Sequence, residues 1–430
     1  MHELTALIKQ DMRPALGVTE PVAIAFCVAK ARSYAAGELV RLEVTMNSGM
    51  YKNAFTCGIP NSNEVGTVFA AALGYVAGNA EKGLEALADV RPEDNDTARR
   101  LIEEGLVTAR LSGITSRIFI EASLKTTQDE VTVTIRDSHT NITKITVNGE
   151  TVFEAESKAP DSEAAPEEDH LIHHYTLEQI VDYVNTVPAE EISFVAEAYR
   201  VNLELFEAGL KDPRTTFARH LVEINGGEII SKYEKSTGSL LCNATIEARV
   251  IGLEKPAMSI TGSGAHGIIA TMPLYGVCQI RGLPDEMLWR ATMLSYLVCT
   301  YIKEYSGRLS AFCGCAIAAG SGMACGLVWL WGGGVQEMEY ALNNMASSLT
   351  GMICDGGNQG CTMKGVAACD AAFHSAEFAL RGIHVDKVHG INGPTPEETM
   401  RYMGLIASPG MVSTEKTIVE IFEEKLEKGL

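Results

Sequence analysis

The chain has 430 residues, of which 46% are apolar, and its 35 lysine and arginine residues against 55 aspartate and glutamate residues give a net charge of −20. A chain of this length and apolar content can bury a large core and is long enough for about two to four domains. Its acidic surface repels nucleic acid and anionic membranes, so we expect neither as a partner.

Cysteine usage and the N-terminus indicate the compartment. The first five residues, Met1–Thr5, lack the basic-then-apolar pattern of a secretory signal. The chain contains eleven cysteines, nine of them at or after Cys242, without the short spacings of a secreted disulfide scaffold. We therefore expect a cytoplasmic protein with reduced or metal-bound thiols. The longest uncharged stretch, residues 309–336, is rich in glycine, and we interpret it as a buried helix and not as a membrane span.

Up to residue 156 the pattern mixes helices and strands. Apolar patterns predict helices over residues 20–36 and 64–78, the first capped by Thr19 with Pro21 in its first turn. Residues 39–47 alternate like a strand. Residues 117–125, 130–136 and 142–147 also alternate with period two, which predicts an antiparallel meander.

Residues 157–170 (SKAPDSEAAPEEDH) form the clearest break in the sequence. They include two prolines and five acidic residues but no large apolar residue, which is typical of a linker. After it, strand signals almost vanish and apolar patterns predict an all-α region. Its predicted helices cover residues 177–184, 189–208, 215–224, 267–280, 285–305, 308–331, 335–349, 360–380, 396–406 and 413–427. We therefore predict a domain over residues 1–156, an acidic linker over 157–170 and a second domain over 171–430.

Three cysteines of the second domain, Cys313, Cys354 and Cys361, carry the strongest chemical signal. All lie in glycine-rich, almost uncharged sequence, and the last two are seven residues apart. Three thiolates can hold a [4Fe–4S] cluster and leave one iron without a protein ligand, as a Lewis acid open to substrate. No CxxC pair marks them, so three small buried residues are the alternative interpretation. Cys315 and Cys325 flank the same helix and could be core residues or substitute ligands.

A glycine motif precedes the cysteines. Residues 262–267 (GSGAHG) match G-x-G-x-x-G, but a dinucleotide site needs a preceding strand within a βαβ unit. The apolar stretch 257–261 is too short and its surroundings are helical, so we do not expect NAD. A turn formed by Ser263 and Gly264 at the start of a helix instead offers backbone N–H groups to a carboxylate. His266 is then either an acid/base or a helix-start residue.

Other polar segments admit a plain interpretation beside a functional one. Residues 137–141 (DSHTN) and the pair Lys52–Asn53 have the composition of solvated turns. The spacing of His170, His173 and His174 allows a zinc site, but a solvated helix start is the simpler interpretation. The WLWGGG run at residues 329–334 is typical of a core helix that stops at glycine.

The C-terminal region resembles the α-domain of the iron–sulfur L-serine dehydratases, and nearly the whole chain resembles the L-cysteine desulfidase family and its relatives. The last three matching segments are the most specific. The segments are ALGVTEP (15–21), KN (52–53), SHTNI (138–142), SG (263–264), IATMP (269–273), LSA (309–311), SLTGMICDG (348–356) and CTMK (361–364).

The resemblance implies that Cys313, Cys354 and Cys361 carry a [4Fe–4S] cluster. It implies an α+β protein, with an N-terminal mixed α/β domain containing antiparallel strands and a C-terminal all-α cluster-binding domain. The implied reaction is β-elimination from a small L-amino acid, cysteine or serine, to 2-oxo acid and ammonia without pyridoxal phosphate. A second copy of the chain, as a homodimer, stays open as a partner beside the substrate.

The resemblance also implies that several polar residues contact the substrate. Lys52 and Asn53 would clamp a carboxylate, and Thr19 and Glu20 would position the amine. Ser263 and Gly264 would also hold the carboxylate, and the loop with His139, Thr140 and Asn141 would contact the substrate.

One position departs from the desulfidase pattern. Desulfidases carry a cysteine, thought to act as base or nucleophile, where this chain has Val18. A valine cannot move a proton, so the base could be Cys57, His139 or His266. Cys57 is otherwise an ordinary buried cysteine. The alternatives to an enzyme are a catalytically weak iron–sulfur or metal-binding sensor of the same fold, and a pseudoenzyme with buried thiols.

Overall fold

The structure is a computed structural model that describes residues 1–115, 117–155, 169–307 and 309–428. The N-terminal part combines helices with a six-stranded sheet, and helices dominate the C-terminal part, which confirms the predicted α+β class. Of the predicted linker 157–170, only Asp169 and His170 belong to the described residues, and the rest of it lies outside them.

The six-stranded sheet has the order β3-β2-β4-β5-β6-β7. Its strands β4 to β7 form an antiparallel meander, as the alternating sequence predicted. Strand β3 pairs parallel to β2, which the sequence did not predict. The strands are β1 (Arg13–Leu16), β2 (Leu39–Asn47), β3 (Val107–Gly113), β4 (Phe119–Thr126), β5 (Glu130–Arg136), β6 (Ile142–Val147), β7 (Glu150–Glu154) and β8 (Pro256–Ser259).

Four of the first five α-helices pack against this sheet, and the first helix contacts the C-terminal part. The second helix packs between β4, β5 and the fourth helix, so nearly all of it is buried, and the Cys27 thiol donates a hydrogen bond to Val133 O at 3.4 Å. The helices are α1 (Glu3–Asp11), α2 (Thr19–Arg32), α3 (Ser48–Ala54), α4 (Thr67–Ala77) and α5 (Pro92–Glu103), with a 3-10 turn at Ala80–Glu85.

Thr19 does not cap α2, so that prediction is wrong. The N-cap is Val18, without a side-chain hydrogen bond, and Thr19 is the first helical residue. Its hydroxyl instead donates to Gly262 O at 3.3 Å. The helix also ends four residues earlier than predicted, at Arg32.

The C-terminal part packs its helices around three buried ones, α10, α11 and α13. The helices are α6 (Leu177–Thr186), α7 (Ala189–Ile192), α8 (Ala196–Lys211), α9 (Phe217–Ile224), α10 (Glu234–Val250), α11 (Gly264–Arg281), α12 (Asp285–Ser306), α13 (Gly320–Leu330), α14 (Val335–Leu349), α15 (Gly360–Ala379), α16 (Pro396–Leu405) and α17 (Val412–Glu427). Shorter turns are Leu171–His174, Ser193–Val195, Cys315–Ala319 and Ile406–Gly410.

The sequence did not predict α10, although the helix is buried from Thr237 to Val250. It has no apolar stripe because it is covered on all sides, and it carries charged residues inward. One of them, Glu247, accepts hydrogen bonds from the backbone N–H groups of Thr216 at 2.7 Å and Ala218 at 2.8 Å. The buried carboxylate therefore caps the start of α9.

The helix predicted over residues 308–331 begins late. Helical structure starts at Cys315 with one wide turn, and α13 follows it. The reason is that the preceding residues are extended, with Phe312 in an antiparallel bridge to Ile353. None of the helices described in this chain is long and apolar enough to cross a membrane.

A small two-stranded sheet ties the two parts together. Strand β1 pairs antiparallel with β8, placing Arg13 opposite Ser259 and Leu16 opposite Pro256. The Ser259 hydroxyl donates to Arg13 O at 2.6 Å. The segments that follow the two strands also meet, because the Thr19 hydroxyl at the start of α2 donates to Gly262 O, two residues before α11, at 3.3 Å.

Candidate active site

Two cysteine-bearing segments meet in an antiparallel contact. Cys313 N donates to Met352 O at 2.9 Å, and Cys354 N donates to Ala311 O at 2.6 Å. The contact fixes the backbones of Cys313 and Cys354 side by side although they are 41 residues apart in sequence. Cys361 follows at the start of α15, and its thiol donates to Gly356 O at 3.4 Å.

Helix α3 of the N-terminal part closes over these segments. The buried Lys52 ammonium donates to Ser310 O at 3.1 Å and to Cys354 O at 2.9 Å, one carbonyl from each segment. Gly356 has φ +102°, and a Cβ on it would lie 2.5 Å from Lys52 O. The approach of α3 to the loop between the second and third cysteines therefore requires glycine at this position.

Val18, at the start of α2, packs against the same loop. A Cβ on Gly357 would be 2.7 Å from Val18 Cγ1, and Gly357 N donates to Asn53 O at 3.1 Å. Val18 thus packs directly against the segment between Cys354 and Cys361. A side chain at position 18 therefore reaches the backbone that carries two of the three cysteines.

The electrostatics around the thiols are mixed. A hydrogen bond from the Cys315 thiol lowers the pKa of Cys313, and the charges of Lys364 and Lys52 lower it further. Burial raises the pKa of Cys361 to about 11, against the lowering charge of Lys364. Lys364 also forms an ion pair with Asp355. The positive charges of Lys52 and Lys364 therefore favour the thiolate form of Cys313, and the charge of Lys364 also favours it at Cys361.

Among the described residues, no group of three or more His, Cys, Asp or Glu side chains stands ready to hold a metal ion. The donor chemistry nevertheless fits a cluster, because three soft thiols lie in neighbouring segments beside two lysines. Thr362, which follows the third cysteine, is fully buried, and its hydroxyl has no partner in the described part of the chain. A buried hydroxyl in that state fits a group bound beside it.

A buried polar group lies next to the cysteine segments, at the start of α2. Asn53 Nδ2 donates to Glu20 Oε1 at 2.8 Å. His139 Nε2 is 3.9 Å from the same oxygen, too far for a hydrogen bond, and has no hydrogen-bond partner within the described residues. Asn53 Oδ1 in turn accepts from the Cys354 thiol at 3.8 Å. The hydrogen bonds therefore link Glu20 through Asn53 to Cys354, with His139 beside Glu20.

The carboxyl of Glu20 is ionised at neutral pH. Burial alone would raise its pKa, but the imidazole of His139, the amide of Asn53 and the charge of Arg249 together lower it to about 2. Arg249 lies in α10, so the low pKa of Glu20 depends on residues of the N-terminal part and on one helix of the C-terminal part. The sequence analysis named Glu20 but not Arg249.

Cys57 faces the same group. It is fully buried, and burial raises its pKa well above the usual range, with Glu20 raising it further and Arg249 lowering it. Cys361 also acts on it electrostatically. Cys57 therefore lies on the cysteine side of the N-terminal part, as a protonated thiol.

His266 lies in the first turn of α11, against Gly314. A Cβ on Gly314 would be 2.8 Å from His266 Nε2 and 3.0 Å from Lys303 Cδ. Burial lowers the pKa of His266 well below its usual range, and Lys303 and Arg249 add to this, so the imidazole is neutral. Thr261 Oγ1 donates to Ile260 O and lies 2.5 Å from His266 Nδ1.

This hydrogen bonding selects a tautomer. The single proton of the Thr261 hydroxyl is donated to Ile260 O. The hydroxyl oxygen of Thr261 therefore accepts a hydrogen bond from His266 Nδ1–H. His266 Nε2 then carries the lone pair, and it points toward Gly314, next to Cys313.

Two predicted residues are not brought to this group. Thr140 and Asn141 are exposed, and the Asn141 amide donates to Arg136 O at 3.0 Å within its own turn. Only His139 of that loop is buried. The geometry therefore gives no support to a substrate contact by Thr140 or Asn141.

The Ser263–Gly264 turn opens α11, and the Ser263 side chain makes no capping hydrogen bond. A short strand, β8, does precede it, but β8 pairs antiparallel with β1. The sequence analysis took this stretch as too short for a strand, and that part was wrong, but an antiparallel pair is not the parallel βαβ unit that carries this motif in dinucleotide sites.

The three histidines near the linker make separate contacts. His170 Nδ1 is 3.1 Å from Glu304 Oε2, and His173 Nε2 is 3.0 Å from Tyr301 O. His174 pairs with Asp169. They do not converge on one point as zinc ligands would.

Sequence reasoning missed two buried cations, Arg249 and Lys303. Lys303 lies in the last turn of α12, where a basic residue ordinarily interacts favourably with the helix dipole. Its ammonium donates a hydrogen bond to Gly307 O at 2.6 Å. Arg249 lies in the unpredicted helix α10. The available signal was a pair of charges, Glu247 and Arg249, inside sequence that is otherwise apolar or small.

Comparison with known proteins identifies the family. The model of the family described as serine dehydratase alpha chain matches residues 81–420. A UPF0597 protein of Clostridium botulinum strain Langeland is 39% identical over 421 residues, which are 97% of each chain. Another, of Caldanaerobacter subterraneus, is 34% identical over 428 residues and 98% of each chain. The chain therefore belongs to the serine dehydratase alpha chain family.

Proposed function

We propose that this protein is a [4Fe–4S]-dependent lyase that eliminates the β-substituent of L-cysteine or L-serine, giving 2-oxo acid and ammonia without pyridoxal phosphate. Family membership supports an iron–sulfur cluster and a dehydratase-like reaction. The observation that carries the proposal is the buried polar group around Glu20, joined through Asn53 to the Cys354 thiol. A protein that only stored thiols would have no use for ionised groups there.

In this proposal Cys313, Cys354 and Cys361 hold the cluster between two domains, residues 1–156 and 171–430. When bound, the cluster would supply a Lewis acid that polarises the leaving group. Lys52 would hold the first two cysteines in register through their neighbouring carbonyls, and Lys364 would favour thiolate over thiol.

We assign the Cα proton to His266. Its neutral imidazole, with Nδ1 occupied by Thr261 and Nε2 directed at the Cys313–Gly314 segment, is arranged to accept a proton. Cys57 is the weaker choice because its raised pKa keeps it a thiol at neutral pH. His139 lies beside Glu20 and would instead help to hold the substrate amine, together with Thr19.

An iron–sulfur sensor without turnover is the second candidate. Val18 favours it, because the position that carries a cysteine in desulfidases is apolar here and packs on Gly357. The two candidates differ in one product. A sensor would bind a cluster and release no 2-oxo acid, whereas the lyase would release it.

The test is anaerobic reconstitution with iron and sulfide, followed by assays of 2-oxo acid and ammonia from L-cysteine, L-serine and L-threonine. Serine variants of Cys313, Cys354 and Cys361 should each lose most of the iron and all activity. Cys278→Ser is the matched control, because Cys278 is also buried but lies near the far end of α11. Equal iron in all four variants would contradict the cluster assignment, and iron without product would favour the sensor.

A further inference from the structure

Arg249 is a buried cation whose charge is incompletely matched. Its residue is 4% exposed, and its Nε has no hydrogen-bond partner among the residues that the structure describes. No carboxylate of the described chain lies within ion-pair distance of it, although its charge lowers the pKa of Glu20. A buried guanidinium without a partner is costly, so such a residue is kept where it meets an anion.

The side chain of Arg249 lies against the start of α11. A Cβ on Gly264, the first residue of that helix, would be 2.7 Å from Arg249 Nε and 3.2 Å from its Cδ. The first N–H groups of an 18-residue helix have no intrahelical acceptor, and Ser263 does not cap them. An unpartnered guanidinium nitrogen and the positive end of a helix therefore face one place.

Around that place, the charges are separated. Glu20 is ionised on the α2 side, whereas Arg249 and the α11 turn are positive on the other side. The charges of Glu20 and Arg249 both act on the pKa of Cys57 and on the pKa of His266. A ligand with an ammonium and a carboxylate on one carbon matches this arrangement, and an amine or an acid alone does not.

We propose that Arg249, with the Ser263–Gly264 turn, binds the α-carboxylate of the substrate and thereby restricts the protein to free α-amino acids. This inference rests on the proposed function for its substrate class. The guanidinium would donate to the carboxylate oxygens from one side and the backbone N–H groups from the other. Gly264 is then required because any side chain would displace the arginine.

The inference is tested by comparing an α-amino acid with its C-terminal amide. Because the reconstituted protein is expected to convert L-serine and L-cysteine, the dissociation constants are measured by calorimetry with L-alanine and L-alaninamide, which have no β leaving group, on the wild-type protein, Arg249→Met and Arg249→Lys. We expect the wild-type protein to prefer the acid, and Arg249→Met to weaken acid binding by roughly 10- to 100-fold with little change for the amide. Arg249→Lys should recover part of the preference.

Arg290→Met is the matched control. Arg290 is also largely buried, but its guanidinium donates to Val187 O at 3.0 Å and to Glu286, away from the site. Its variant should keep the preference for the acid even if it is less stable. If Arg249→Met does not fold, the preference for the acid over the amide is compared between the wild-type protein and Arg249→Lys, and a preference that is unchanged in Arg249→Lys then counts against the role of Arg249.

The outcomes separate the inference from the proposed function. Wild-type protein that releases 2-oxo acid but binds acid and amide alike, or an Arg249→Met variant that still prefers the acid, would overturn the role of Arg249 alone. Wild-type protein that neither binds L-alanine nor converts L-serine or L-cysteine would overturn both.

Discussion

Replacing Glu20 with glutamine tests whether the buried charge is a functional device or part of the packing. The glutamine side chain keeps the shape of the native one and can still accept a hydrogen bond from Asn53, but it carries no charge beside Arg249 and His139. Glutamine therefore mimics a protonated Glu20, and the difference between the two proteins measures the energy of ionisation in the fold.

The magnitude follows from the pKa of Glu20, which is lowered from 4.5 to about 2 in the folded protein. At about 1.4 kcal/mol per pKa unit, ionised Glu20 stabilises the folded state by roughly 3 kcal/mol relative to its protonated form. The folded state binds the proton less tightly than the unfolded chain. This stabilisation is therefore fully present above the unfolded pKa and is lost as the pH falls from about 4.5 toward 2, with roughly half of it left near pH 3.

Urea unfolding followed by tryptophan fluorescence at several pH values measures the effect, with both proteins prepared in the same way. We expect Glu20→Gln to be less stable by about 3 kcal/mol at pH 7, and the gap to narrow as the pH falls below 4.5. Glu197→Gln is the control, because it removes a surface ion pair with Arg200 and should change stability by less than about 1 kcal/mol. A gap that is absent at pH 7, or that does not change with pH, would refute the reasoning.

Two further variants test the loop between the second and third cysteines. Gly356→Ala should lose iron and at least about 1–2 kcal/mol of stability, because alanine is strained at φ +102° and its Cβ would meet Lys52 O. Gly351→Ala, where a Cβ has open space, should keep its iron content on the same assay. Val18→Cys should create or raise sulfide release from L-cysteine in the reconstituted protein; no gain with the cluster present would mean that this position does not limit the chemistry.

Sequence patterns predicted the elements whose burial is one-sided. The strands of the meander alternate because one face of the sheet packs against α2, and most helices of the second half have recognisable apolar patterns. Where burial is complete, the patterns disappear, and α10 was missed for that reason. The extended residues before Cys315 were assigned to a helix because apolar sequence alone does not separate a buried strand from a buried helix.

Positions were harder to predict than residue types. The resemblance led to Glu20, Asn53, His139 and the cysteines, but not to what makes them one group. That depends on pairings across long sequence distances, such as β1 with β8 and Phe312 with Ile353. The same loop sequence supplies His139, which is buried, and Thr140, which is exposed, so proximity in sequence did not imply proximity to the site.

Val18 and Arg249 bear on two different parts of the proposed reaction, proton transfer and substrate binding. The valine offers no proton-accepting group at the start of α2, whereas the carboxylate of Glu20, the amide of Asn53 and the charge of Arg249 form a charged group beside it. Groups that would orient an α-amino acid are thus present where a group that would take its proton is missing. In the proposed reaction His266 takes the proton from the α11 side, so a valine at position 18 is compatible with turnover.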